Sequence, residues 1–370
     1  MRKKITLQEI AKNLGLSVAT VSRALNNKGR ISQEIRRKVL LKAQEMGYIT
    51  GLSRRFLISG REGSTVAVVF PESDFFWRDV ERGVNYAVSQ VKRQGIKVEL
   101  YRTDGHNITQ QVEHFERFLK QKDLSGVVFV PADTTQLDYY INALFLKGVA
   151  VATFNTDAPL SKRLLYVGQN VNQAGRVAGE LFLKSLGHKA EGKILILSSN
   201  KKAPSHVGRW QGLIDFVHGK NLRFDVSRVF EANDEERAYQ LIKEQLEKEN
   251  YLGIFVTTAF GNLGAARAVE EHNDRELVFI GNDVTDEWIS YLKSGVIDYC
   301  LFQEPCLQGY LAIRMLVEHL FYQIDLKCKT LYFPIIPIFK ECIGDRFISV
   351  GEQLIEGLSQ KCEAEEVLML

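Results

Sequence analysis

The chain has 370 residues, 45% apolar and 25% charged, with a net charge of +3. That balance is ordinary for globular protein and excludes a disordered chain, a collagen-like fibre and a cysteine-dense scaffold. At roughly 150 residues per domain the length suggests two or three domains, and no apolar run approaches the roughly 20 residues a membrane helix needs.

The charge is unevenly placed. Residues 1–60 hold 13 of the 48 Lys/Arg and 3 of the 45 acids (Glu9, Glu34 and Glu45), which leaves 35 and 42 for the remainder. A basic head on a mildly acidic body is the footprint of polyanion binding, because Lys and Arg displace counterions condensed on phosphates. The amino terminus, MRKKITLQEIAKNLG, lacks the apolar core of a secretory signal, so a cytoplasmic location is expected. Five cysteines (Cys300, Cys306, Cys328, Cys342, Cys362) include no C-x-x-C pair, and the seven histidines include no H-E-x-x-H. Free thiols, no metal site and no cofactor are expected.

In the head, Thr6-Leu7-Gln8-Glu9 has the form of a capping box, and Leu7, Ile10, Ala11 and Leu14 follow at helical spacing. Gly15 stops that helix. Ser17 can cap a second helix to about Leu25, with Val21, Ala24 and Leu25 inward and Val18, Ala19, Ser22, Arg23 and Asn26 outward. Ser32 can cap a third, with Ile35, Val39, Ala43 and Met46 inward and Gly47 closing it. Two short helices about a tight glycine turn make a helix-turn-helix. A generic three-helix core explains the apolar positions but not the small, polar outer face bearing one Arg.

ITLQEIAKNLGLSVATVSRALNN, Ile31-Ser32 and EMGY (45–48) closely resemble the headpiece of the lactose-repressor (LacI/GalR) family. The resemblance implies that the second helix enters the major groove of double-stranded DNA. Val18, Ala19 and Arg23 would then meet base edges, and Thr6, Ser17, Thr20, Ser22, Asn26, Arg30 and Ser32 would meet phosphates. Arg suits bidentate contact with guanine, Val and Ala suit a thymine methyl, and hydroxyls fix register. The family's hinge follows, and Leu57 stands at its minor-groove leucine. Thr50 and Arg54 depart from the usual Pro and small residue there. SGREGS (59–64) reads as a flexible linker.

The body alternates apolar strands with helical patterns: TVAVVF (65–70), KVELY (97–101), GVVFV (126–130) and a run over 150–154, then KILILSS (193–199), a strand around 226–230, GIFVTT (253–258) and LVFIG (277–281). This predicts an α/β fold of parallel βαβ sheets, buried on both faces, in two similar lobes with a ligand between their strand ends. Asp74-Phe75-Phe76-Trp77, Asn155-Thr156-Asp157, His206-Val207-Gly208-Arg209, Thr257-Thr258, Gly281-Asn282-Asp283 and Gln303 sit at those ends. Rings that cover a pyranose face beside amides and charges that bind its hydroxyls suit a sugar. Singly, Phe75 or Trp77 reads as core and Asp283 as a helix cap.

The body resembles the periplasmic sugar-binding-protein fold that completes the same family. D-F-F-W, R-W-Q-G-L (209–213), G-N-D and Gln303-x-Pro305 carry that resemblance. It implies an effector site of Asp74, Phe75, Phe76, Trp77, Asn155, Asp157, Arg209, Thr258, Asp283 and Gln303, with Gln169 or Asn170 reaching the cleft. The expected organisation is a headpiece over 1–50, a hinge over 51–63, and a two-lobed domain over 64–370. Its first lobe takes 64–164 and 302–330, and its second 165–300 and 331–358, with crossings near 165, 300 and 330. GHKAEGK (187–193) satisfies G-x-x-x-x-G-K but precedes a strand, so it reads as a helix end. The reading is a dimeric, non-enzymatic transcription regulator on a pseudo-palindromic operator, controlled by a carbohydrate, either a sugar or a sugar derivative such as a sugar phosphate. A sugar sensor with no role on DNA, or an enzyme on the same fold, is the competing view.

Overall fold

A computed structural model describes residues 6–25, much of 31–46, and 64–357 apart from 73–74, 94–95, 200–202, 273–275, 323, 325 and 345–346. Asn26, Arg30, Leu57, Asp74 and Cys362 lie outside the described residues, as do Thr50 and Arg54.

The head contains α1 (Leu7–Leu14) and α2 (Val18–Leu25). Thr6 caps α1 through a capping box completed by Glu9, and Gly15 ends it in the left-handed region at φ 64°. A side chain there costs roughly 1 kcal/mol or more, which is why glycine makes this turn. Ile10, Ala11, Val21, Ala24, Val39 and Ala43 form the head's own buried core.

The body begins with β1 (Thr65–Pro71), α3 (Phe75–Arg93), β2 (Lys97–Thr103), α4 (Ile108–Phe118), β3 (Leu124–Phe129), α5 (Thr134–Leu146), β4 (Ala150–Phe154) and β5 (Leu165–Gln169). It continues with α6 (Val171–Leu186), β6 (Glu191–Ser198), α7 (Pro204–Gly219), β7 (Arg223–Asp225), β8 (Val229–Glu231), α8 (Glu235–Lys248), β9 (Tyr251–Val256), α9 (Gly261–His272) and β10 (Val278–Asn282). The last elements are α10 (Ile289–Ser294), β11 (Tyr299–Phe302), α11 (Pro305–Tyr322), β12 (Thr330–Phe333) and β13 (Ile336–Ile338).

Two sheets result. One runs β12-β5-β4-β3-β1-β2 and the other β13-β11-β10-β9-β6-β7, with β8 also on β6. Strand pairing is parallel except for β13, which returns antiparallel on β11. Each sheet is covered on both faces by apolar clusters, so its strands read as near-continuous Val/Ile/Leu/Phe runs. The first strand of each series lies inside its sheet beside the second, and the later strands extend the other way. That reversal opens a crevice at the carboxyl ends of the strands.

Three differences from the sequence reading have local causes. The strand over 165–169 pairs with β4 and β12 and belongs to the first lobe, as do residues 331–333 of β12, so the first crossing falls at 170 and the third after 333. The single strand expected over 226–230 is two, β7 and β8. The Asp225 carboxylate accepts from the backbone N–H (3.0 Å) and hydroxyl (2.6 Å) of Ser227, a turn that interrupts the strand. Residues 350–357, assigned to the second lobe, form a helix held to the first. Ser349 and Glu352 cap it reciprocally, Gly351 N–H donates to Glu304 (3.1 Å), and Glu352 and Glu356 pair with Arg82 of α3. The GHKAEGK stretch is a helix end, with Gly187 capping α6 at φ 83° and β6 starting at Glu191.

Helices α6 and α7 pack at backbone contact. A Cβ on Gly175 would stand 1.8 Å from the carbonyl oxygen of Arg209, and one on Gly212 would stand 2.1 Å from that of Asn172. The expected outcome for Gly175→Ala is a loss of about 1–3 kcal/mol in denaturant unfolding, although Ala is the better helix former. Unchanged stability would show that the two helices can separate freely.

Candidate functional site

The lobes face each other across a cavity of about 540 Å³. Its walls come from strand ends: Trp77 in the first turn of α3, Asn155 after β4, Arg209 in α7, Thr258 after β9, Asp283 after β10 and Gln303 after β11. Each of these is at most 8% exposed. Phe76 also lines the cavity, edge-on to Trp77 with ring centroids 5.0 Å apart.

The polar groups form one connected set. Gln303 Nε2 donates to both Asp283 oxygens (2.9 and 3.2 Å), while Gln303 Oε1 lies 3.5 Å from Asn155 Nδ2. Arg209 Nη1 donates to the carbonyl of Thr257 (2.8 Å). Burial lowers the Arg209 pKa from its ordinary value, and the nearby Asp283 charge opposes that. Of the lining residues, Arg209 Nε and Thr258 Oγ1 are buried without partners. Hydrogen-bonding atoms left open in this way are what a polyhydroxyl ligand would complete. Gln169 Nε2 donates to the carbonyl of Phe302 (3.1 Å), tying together two of the segments that cross between the lobes.

Two residues expected in this site lie elsewhere. Phe75 turns away to the core of the second lobe, edge-on to the fully buried Trp288 at 6.1 Å, and lines a separate cavity. Its ring is on the other side of α3 from Trp77. Asp157 faces Arg163 instead of the cleft. Arg163 Nη2 donates to Asp157 Oδ2 (2.7 Å), Arg163 Nε to Asp157 Oδ1, and the Ala158 N–H also donates to that carboxylate (2.7 Å). Sequence reasoning missed Glu72, Asp104, His106, Ser199 and Asn233, which also line the cavity. Glu72, Asp104, His106 and Ser199 follow strand ends, which was the signal available.

On the head, Ser17, Val18, Ala19 and Arg23 are exposed, and Thr20 and Ser22 are partly so. Val18 is 42% exposed, an outward valine on a helix whose opposite side is core. Ser17 Oγ accepts from the Thr20 N–H (3.0 Å) and fixes the start of α2. Ser32 is exposed and caps the next segment through the Ile35 N–H (3.3 Å).

Two family models match the chain. The model for bacterial regulatory proteins of the lacI family covers residues 6–51, and that for the periplasmic binding protein domain covers residues 66–323. Over its body the chain belongs to the periplasmic binding protein domain family, and its head carries the lacI-family domain. Among relatives, it is 28% identical over 191 residues to the transcriptional regulator DegA of Bacillus subtilis, covering 50% of this chain and 53% of that one. It is 24% identical over 265 residues to the regulator MalR of Streptococcus pneumoniae, covering 69% and 76%. The chain therefore spans about half the length of DegA in the matched region and three quarters of MalR. Among solved structures, a solute-binding protein of an ABC transporter from Burkholderia graminis, in complex with D-arabinose, superposes with TM-score 0.67. It is 21% identical and covers 76% of this chain and 96% of that one, a likeness of fold. The chain thus joins a lacI-type helix-turn-helix head to a two-lobed binding domain. No helix among the described residues is long and apolar enough to cross a membrane, and no His/Cys/Asp/Glu group of metal-holding size occurs among them. Cys300, Cys306, Cys328 and Cys342 are unpaired.

The two aspartates give different expectations. Asp283→Asn should lower ligand affinity at least about ten-fold, since a charged hydrogen bond to a ligand is worth roughly 1.5–3 kcal/mol, and should also lower the melting temperature, because the Asp283 charge offsets the burial of Arg209. Asp157→Asn should cost about 3 kcal/mol of stability by stranding the largely buried Arg163, with ligand affinity kept. Calorimetric titration and thermal melting of both variants separate the roles. Ligand affinity lost in Asp157→Asn and kept in Asp283→Asn would return Asp157 to the site.

Proposed function

We propose that this protein is a sequence-specific DNA-binding transcription regulator. It acts as a homodimer on a pseudo-palindromic operator, and a sugar in the interlobe cleft governs it. The observation that carries the reading is the outward face of α2, where Val18, Ala19 and Arg23 are exposed over a closed apolar core on a basic head. Those side chains read base edges in the major groove. Thr6, Ser17, Thr20, Ser22 and Ser32 meet phosphates and set register. Asn26, Arg30 and Leu57 keep the roles that the family resemblance implies. A dimer places two such helices about one helical turn apart.

The cleft residues Phe76, Trp77, Asn155, Arg209, Thr258, Asp283 and Gln303 bind the effector, with rings against an apolar sugar face and polar groups on hydroxyls. The segments that connect the lobes begin at this cleft, so an effector that prefers one lobe arrangement shifts the protein toward it. DNA affinity then changes by the effector's differential affinity for the two arrangements and no more.

Titration of operator and scrambled duplexes at one salt concentration tests the reading. Preference for the operator with two protomers bound is the expected outcome, and equal affinity for both duplexes would refute it. Arg23→Ala should cost about 1–3 kcal/mol on the operator and relax base preference at one position of each half-site. A uniform loss across all sequences would make Arg23 a phosphate contact.

A further inference from the structure

His106 stands at the cleft wall without an assigned task. It lies in the loop between β2 and α4, and its ring meets the edge of Trp77 at 5.9 Å and 72°. The loop is pinned on every side. Thr103 Oγ1 donates to the carbonyl of Gly105 (2.8 Å), and Gly105 turns at φ 51°. The Asp104 N–H donates to Gln110 Oε1 (2.7 Å), and Asn107 Oδ1 accepts from the Gln110 N–H (3.2 Å). A loop held by four separate constraints presents His106 in one place. Among the described residues neither ring nitrogen has a hydrogen-bond partner.

The charges around it select a ligand class. Among the described residues the ionisable groups of the cavity wall are Glu72 after β1, Asp104 beside His106, Asp283 after β10, Arg209 and His206 of α7, and His106 itself. Three carboxylates face one guanidinium, and that guanidinium already donates to the Thr257 carbonyl. A phosphate or carboxylate entering this cavity meets more negative charge than positive among the described residues, with Asp283 buried and Glu72 and Asp104 exposed. An uncharged polyol meets acceptors for its hydroxyl protons and donors for its oxygens.

We propose that His106 is a specificity-determining residue that hydrogen-bonds a hydroxyl of the effector, and that the effector is an uncharged sugar, not a sugar phosphate or a sugar acid. This rests on the reading of the cleft as an effector site. Burial alone lowers the His106 pKa, so the imidazole is neutral at neutral pH and offers one donor and one acceptor. A bound uncharged sugar removes more water from the ring and favours the neutral form further. Its affinity is therefore full above the His106 pKa and falls as pH drops through it. An anion would behave oppositely, because protonation of His106 would draw it in.

The experiment is calorimetric titration of the full chain with matched sugars: D-glucose, glucose 6-phosphate and D-glucuronate; D-galactose, galactose 6-phosphate and D-galacturonate; D-ribose and ribose 5-phosphate; D-arabinose and arabinose 5-phosphate. The expected result is binding by an uncharged member with its anionic counterparts at least about ten-fold weaker. His106→Ala should weaken that binding at least about ten-fold at unchanged melting temperature, and His106→Gln should recover most of it. Lowering pH from about 7.5 through the His106 pKa should weaken binding in the unaltered protein and in His206→Gln, but not in His106→Gln. An anionic member that binds more tightly overturns this inference alone. So does full affinity in His106→Ala, or a pH response that survives His106→Gln and vanishes in His206→Gln. Binding by no member of any set overturns the inference together with the sugar reading of the cleft.

Discussion

The cleft is organised around a guanidinium that the fold removes from water. Arg209 is 4% exposed, with one backbone acceptor and an Nε that has no partner. A cation so placed is costly unless opposite charge and acceptors surround it. The Asp283 charge supplies part of the compensation, and Gln303 holds that carboxylate in place. The backbone of Arg209 is itself fixed, because Gly175 lets α6 press against its carbonyl. The donor is thus pre-oriented with hydrogen-bonding capacity left over. A polyhydroxyl ligand can use that capacity with little reorganisation, which is where pre-organised sites gain affinity.

The same residues sit where the chain passes between lobes. Gln303 follows β11 at one crossing, and Gln169 ends β5 at another and reaches the Phe302 carbonyl. Gln303 thus lines the cleft at one crossing, and Gln169 ties that crossing to another. Arg78 of α3 pairs with Glu287, which precedes α10, so an ion pair also spans the lobes on the side toward Phe75. That exposed pair is worth little as stability. Its geometry nevertheless depends on the angle between the lobes, so it differs between any two arrangements they adopt.

Local signals were legible in the sequence and long-range ones were not. The head could be read because its cap (Thr6 with Glu9), its turn (Gly15) and its apolar spacing lie within about twenty neighbouring residues. The sheets could be read because strands covered on both faces must be apolar throughout. Asn155, Arg209, Thr258, Asp283 and Gln303 converge because each follows or faces a strand end, and the parallel topology gathers those ends. Phe75 and Asp157 stood on the same signal and point elsewhere. Phe75 is separated from Trp77 by the angular step of α3, and Asp157 is claimed by Arg163 six residues on. His106 was passed over because the loop that positions it is held by Thr103 and Gln110, which carry no periodic pattern. The return of 350–357 to the first lobe depends on Arg82, some 270 residues earlier in the chain.

Backbone strain marks the same places. Asn155, Asp283 and Glu304 have φ of 59°, 67° and 56°, in a region that side-chain-bearing residues avoid. Each such turn costs of order 1–3 kcal/mol and persists only where its surroundings over-determine it. Here they do: the Asn155 N–H donates to Val167, the Asp283 N–H to Leu301, and the Glu304 carboxylate accepts from Gly351. Each turn lies one or two residues beyond a strand, where an ordinary extended or helical continuation would carry the side chain along the lobe. The left-handed turn instead brings Asn155 and Asp283 to the same Gln303 side chain between the lobes. Asn and Asp tolerate that conformation better than other residues with side chains, so their occurrence at these two strand ends serves the backbone and the polar cluster of the cleft at once. Glu304 lacks that tolerance, and its strain is offset through the capped helix that its carboxylate receives. The crossing at β11 is therefore coupled to the carboxyl-terminal helix as well as to the cleft.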